Sequence, residues 1–157
     1  MKTKPKLEVL DLGIKWDGGA PMPQLLAGTQ RTIVLCYESL ASGEGEYVME
    51  IRFEGCASVR MGHPNDEVLH GHPLWAGGMK FYEAHVVHAS PWLAEHRRIN
   101  SVHEYHSDAT WDRLNHYFLP FHDEVVEALA RGITARRLDG DMASELGRAA
   151  AELASDV

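Results

Sequence analysis

A chain of 157 residues and 17.5 kDa has the size of one ordinary domain and no room for a second. Apolar residues make up 45% and charged residues 24%, the balance of a packed domain, which excludes a disordered or fibrous chain. Fifteen Lys and Arg face 23 Asp and Glu, and the net charge of −8 opposes generic nucleic-acid binding, which needs a basic surface to displace phosphate counterions. The longest apolar run, Ile33 to Tyr37, is far too short to span a membrane.

Lys6 to Leu12 alternates and predicts a first strand, and Lys2, Lys4 and Lys6 are not followed by the apolar stretch of a secretory signal. Trp16 to Gly28 carries Gly18, Gly19, Pro21 and Pro23 and reads as an ordered loop without regular structure. Arg31 to Glu38 (RTIVLCYE) is a buried strand by its β-branched and aromatic content. A turn over Ala41 to Glu46 follows, with Gly43 and Gly45. In the next strand Tyr47, Met49, Ile51 and Phe53 share one face and Glu50, Arg52 and Glu54 the other. That pattern predicts one buried and one wet side, as in an antiparallel sheet. Cys56 to Met61 reads as the next strand, close enough to be its hairpin partner. Cys36 and Cys56 are too few for a disulfide framework, lack any CxxC spacing, and read as reduced, inert thiols of a cytoplasmic protein.

Gly62 to Gly78 (GHPNDEVLHGHPLWAGG) is a long irregular segment with at most one helical turn around Asp66 to His70. Phe81 to His88 returns to strand. Ser90 then caps a helix whose first position is Pro91, and Trp92, His96, Ile99 and His103 share one face of it. Asn115 to His122 is a strand that Pro120 confines to an edge or a bulge. Asp123 to Gly132 satisfies helix rules as well as strand alternation, and the strand, returning as a hairpin, is favoured. Met142, Leu146 and Leu153 mark a helix that Gly147 weakens by about 1 kcal/mol relative to alanine, so it needs to dock. The expected fold is α+β: one strongly curved antiparallel sheet of about six or seven strands, one inserted helix, and residues 139–157 as a C-terminal helical appendage to a single domain.

All ten histidines lie between His63 and His122, and protonating every one would take the net charge from −8 to +2. The 62–78 segment concentrates Asn65, Asp66, Glu67, His70 and His72 among glycines that permit close ligand approach. In the competing view Asn65 and Asp66 cap a turn and the histidines are solvated. His70-Gly71-His72 invites a metal, yet the next glutamate is only Glu83, so the pair alone implies none. His103 and His106 are neighbours only if the helix extends that far, and they lack HExxH spacing.

A further group joins His116, His122, Asp123, Glu124 and Glu127, with His122 beside Asp123 as an acid/base pair. Glu83 and His85 are a comparable pair on an otherwise apolar face. Arg97-Arg98 and Arg136-Arg137 read as solvated, and no P-loop, GxSxG or dinucleotide fingerprint is present.

Several short elements stand together over residues 16 to 125: Gly19-Ala20-Pro21 with Pro23, Phe53-Glu54-Gly55-Cys56, Gly62 with Pro64-Asn65-Asp66-Glu67, and Gly71-His72-Pro73-Leu74. Ser90 with Trp92, Asn100 with Val102-His103, and Asn115-His116-Tyr117 with Phe121-His122-Asp123 complete the array. The arrangement resembles a group of uncharacterised small bacterial proteins with no assigned activity, so the resemblance implies no residue role.

The residues themselves lead to a small-molecule enzyme. His72, Asp66, His122 and Asp123 would carry proton transfer, and Asn65, Glu67, His70, Glu83, His85 and His116 would line the ligand. Hydrolysis, elimination and isomerisation are equally compatible, as is a divalent metal on the histidines. The alternative is a non-enzymatic, immunity-type protein whose acidity steers it to a basic partner. Self-association through the C-terminal helix fits either reading.

Overall fold

The computed structural model describes residues 2–40 and 46–155, so the turn expected over Ala41 to Glu46 lies almost wholly outside the described residues. The architecture is α+β, with nine described strands in two antiparallel sheets where one curved sheet was expected. Strands β1 (Lys6–Leu10), β5 (Ser58–Gly62), β6 (Ala84–His88), β7 (Asn115–Pro120) and β8 (Val125–Ala130) form a sheet ordered β1-β6-β7-β8-β5. Strands β2 (Gln24–Ala27), β3 (Thr32–Tyr37), β4 (Val48–Glu54) and β9 (Gly132–Leu138) form the other, ordered β2-β3-β4-β9.

The two sheets face each other across the main core. Val34, Cys36, Met49, Ile51 and Phe53 from one meet Tyr117, Leu119, Val126 and Ala128 from the other, and Trp16 and Phe121 close one end. Each sheet is also covered on its outer side, which explains the unbroken apolar run of β3. Its alternate residues Ile33 and Leu35 lie with Val48 and Leu138 under Ala149, Met142, Leu146 and Leu153 of helix α3 (Met142–Ser155).

The face of β4 expected to be wet is therefore covered. Glu50 is fully buried, and Arg52, Arg136 and Arg148 bind its carboxylate at 2.7 to 2.8 Å. Arg137 reaches Glu38 at 2.7 Å, so the 136–137 pair is engaged in ion pairs.

On the outer side of the five-stranded sheet, Leu7, Val87, Phe118 and Val125 lie under Leu69, Leu74, Trp75 and Met79 of the segment following β5. That segment folds into two 3-10 turns, Asp66–Gly71 and Trp75–Gly77, where at most one was expected. Gly77 is required there: a Cβ would stand 2.9 Å from the carbonyl oxygen of Pro5.

Other departures have local causes. The 16–28 stretch contains β2, which begins directly after Pro23 and pairs with β3 although glycine and proline surround it. β7 is a central strand. Pro120 is tolerated because β6 pairs only with residues 116 to 118, leaving no neighbour to need the missing N–H.

Cys56 sits in the turn before β5, half-buried, and β5 pairs with β8 in the other sheet, not with β4 as a hairpin; Cys36 is fully buried in β3, and both thiols are free. Residues 125–130 are strand, in the register Phe118↔Glu127 and Leu119↔Val126. Ser90 caps helix α1 (Pro91–Asn100), its Oγ accepting from Leu93 N–H at 3.0 Å. That helix stops before His103, and a short helix α2 (Asp108–Trp111) follows. Among the described residues no helix is long and apolar enough to cross a membrane.

Candidate functional site

Among the described residues three imidazole–carboxylate groups stand on the elements of the five-stranded sheet; His88–Glu8, 2.8 Å across β6 and β1, is exposed on both sides, and the other two are each joined to a different part of the sheet's cover. The first of these two lies at the turn between β7 and β8. Asp66 N–H donates to the carbonyl of His122 at 2.9 Å, and Oδ2 of Asp66 lies 2.9 Å from Nδ1 of His122. This contact is an ion-pair approach without hydrogen-bond alignment, so Nδ1 stays buried with no aligned partner.

The Tyr82 phenol donates to the same Oδ2. Its hydrogen bond to Asp66, aided by burial, pushes the phenol up to about 12. On the other side of the imidazole, Asp123 Oδ1 is 4.0 Å from Nε2.

Asn65 Oδ1 and Trp16 Nε1 are likewise buried without hydrogen-bond partners. Asn65 adjoins Asp66 in the chain, and the Trp16 ring packs on Phe121, the residue before His122, at 4.6 Å. Gly18 brings the 16–22 stretch against Tyr82, where a Cβ would stand 3.2 Å from the ring. Trp16 and Tyr82 also line a cavity of about 210 Å³. These unpaired atoms belong to His122 itself, to the chain neighbour of Asp66 and to the ring packed on Phe121, while the cavity beside Tyr82 is lined without Asp66 or His122. Such atoms are costly to bury and are satisfied by water or a ligand.

The second group lies further along the sheet. His116 Nε2 donates to Glu127 Oε1 at 2.8 Å, and Arg60 Nε donates to Glu127 Oε2 at 2.7 Å. Ser90 Oγ is 2.7 Å from His116 Nδ1. His116 and Glu127 are 1% and 3% exposed. Burial pushes the Glu127 carboxyl up, but hydrogen bonds from His116 and Arg60 outweigh it and hold the group below its ordinary value.

His72 stands above Phe118, with ring centroids 4.9 Å apart, and its Nδ1 accepts from Leu74 N–H at 3.0 Å. Burial lowers its basicity, partly offset by the charge of Glu127, so it joins the second group and not His122.

The remaining sequence candidates separate. Glu67 and His70 are exposed. Glu83 precedes β6, and its carboxylate pairs with Lys15 at 2.7 Å. His85 is fully buried and structural: Nε2 accepts from Lys80 N–H at 2.9 Å, while Nδ1–H points to the Phe118 carbonyl at 3.3 Å. Glu124 closes the β7–β8 turn, its carbonyl accepting from Phe121 N–H.

His103 accepts from Tyr105 N–H, and His106 bonds Asn100 and Asp108, so these two do not chelate together. No group of three or more His, Cys, Asp or Glu among the described residues is disposed to hold a metal ion.

Sequence reading missed Tyr82, Trp16, Arg60 and the partnership of His116 with Glu127. For the last a signal existed: period-two alternation on both arms of a hairpin with a short turn puts His116, Phe118 and Glu127 on one face. Comparison of the chain with family models, curated proteins and solved structures gave no match, leaving the geometry to speak for the chemistry.

Proposed function

We propose that this chain is a small-molecule enzyme whose acid–base group is the Asp66–His122 pair, with Tyr82 as a neighbouring donor. The observation carrying the reading is the meeting of two residues far apart in the chain: Asp66 Oδ2 lies 2.9 Å from His122 Nδ1, and the Tyr82 phenol donates to the same oxygen. Asp66 supplies a negative charge 2.9 Å from Nδ1, and Nε2, with Asp123 4.0 Å away, exchanges the substrate proton. Tyr82 keeps its proton through the neutral range and supplies a hydrogen bond to Asp66 or to a bound oxyanion. Asn65 and the Trp16 indole N–H offer one acceptor and one donor to orient a polar ligand. Proton transfer of this kind serves hydrolysis, elimination and isomerisation alike.

The test is turnover by the full chain against panels of small esters, hydroxy acids and enolisable ketones, with His122→Ala and Asp66→Asn alongside. Loss of about 100-fold or more in both folded variants supports the reading. Turnover indifferent to both changes overturns it. So does binding of a basic protein in place of any turnover, the outcome belonging to the acidic-partner reading.

A further inference from the structure

We infer that Ser90 is a nucleophile for acyl transfer, with His116 as its base, in the cleft between α1 and strands β6 and β7. This inference is independent of the Asp66–His122 reading. Ser90 Oγ accepts from Leu93 N–H at 3.0 Å, which leaves its own hydrogen for His116 Nδ1, 2.7 Å away. On the far side of the ring Nε2–H is held by Glu127, which Arg60 fixes in turn. Hydroxyl, imidazole, carboxylate and guanidinium therefore stand in one hydrogen-bonded line, with the imidazole acceptor turned to the hydroxyl.

A helix cap needs none of this. Ser90 satisfies Leu93 alone, and burying a glutamate and a histidine behind it costs more than an apolar pair of similar size. The surroundings suit a reacting group. Ala89, directly before Ser90 in the turn from β6 into α1, holds a left-handed backbone, φ 53°. Trp92 packs edge-on to His116 at 5.2 Å, with the Arg60 guanidinium 4.0 Å over its ring, and shields the line from water.

Both Ser90 and His116 line a cleft of about 810 Å³, whose wall combines apolar Val87, Leu93 and Leu114 with charged Arg97 and Arg98. That volume and lining fit a small carboxylic ester with an apolar acyl group.

In the first step Oγ bonds to the ester carbonyl carbon as its proton passes to His116 Nδ1. Glu127 holds the resulting imidazolium through Nε2–H. Collapse breaks the bond to the alcohol oxygen, which takes the proton from Nδ1 and leaves an acyl-Ser90. Water then adds with His116 again as base, releasing the acid and restoring the hydroxyl.

The experiment is phosphonylation of the intact full chain by a fluorophosphonate probe, read by intact mass and peptide mapping, with hydrolysis of p-nitrophenyl butyrate in parallel. One adduct on Ser90 in the wild-type chain is expected, with labelling slowed about 100-fold in His116→Gln and abolished in Ser90→Ala. Wild-type protein that stays unlabelled, or is labelled elsewhere only, overturns the proposal. Equal labelling of Ser90 in folded His116→Gln overturns the base. Because the decisive readout is on the wild-type chain, it stands even where a variant fails to fold, and it is unaffected by the fate of the His122 assignment.

Discussion

Tyr82 and Asp66 share a hydrogen bond that ties the turn before β6 to the segment after β5, the phenol donating to Oδ2. The bond to Asp66, with burial, holds the phenol at about 12, above its unfolded value of 10. A group raised in this way stabilises the fold fully below pH 10 and loses that contribution as pH climbs through 12. Asp66→Asn is expected to bring the Tyr82 titration back toward 10, followed by NMR of the ring carbon bearing the hydroxyl. An unmoved titration would refute the assignment of Asp66 as the cause.

Glu50 supplies a second pH prediction. Burial raises its carboxyl, but Arg52, Arg148 and Arg136 prevail and hold it at about 2, below an ordinary 4.5. Its contribution is complete above pH 4.5 and disappears as pH falls through 2. Glu50→Gln leaves three guanidinium groups without their shared anion and should cost about 3 to 5 kcal/mol at pH 7. Urea melts of both proteins at pH 7 and pH 2.5 check this, and the gap between them should shrink on acidification. A constant gap contradicts it.

Ala89 holds a backbone conformation that only glycine adopts freely. Ala89→Gly should therefore stabilise the chain by about 1 kcal/mol, after the greater entropy lost by glycine is subtracted. The urea midpoint reads this directly, and a lower midpoint would show that the turn is not strained.

Phe118 supports His72 at 4.9 Å and His85 at 6.3 Å while filling the space beneath the 3-10 turns. Phe118→Ala should cost about 3 to 5 kcal/mol. Amide exchange is expected to rise first in residues 66–80, ahead of α3, because that segment rests on the ring. Simultaneous loss of protection on both outer faces would argue that the two covers are not independent.

Local chemistry dictates the parts of this fold that sequence reading anticipates. Ser90-Pro91 starts α1, the apolar run of β3 lies buried on both faces, and the stripe of Met142, Leu146 and Leu153 docks α3. β2 escaped because it is four residues long and follows Pro21 and Pro23 directly, and β9 because its partner β4 lies far back in the chain. β9 carries Arg136 and Arg137, whose charges look solvated until Glu50 and Glu38 are brought opposite them. The same limit applies to function. Asp66 and His122 were both legible as candidates, yet their meeting rests on a loop path that no periodicity records. Ser90 was legible as a cap only, because the imidazole behind it belongs to another strand.

Strand β9 also ends the order of its sheet, so one of its backbone edges faces outward. An open edge is a template onto which a strand from another molecule can add. Arg131, Arg136 and Arg137 put positive charge along and beside that edge in an otherwise acidic chain. The arginines that bind Glu50 and Glu38 inside one molecule thereby also furnish this edge with long charged side chains, a common guard against strand addition.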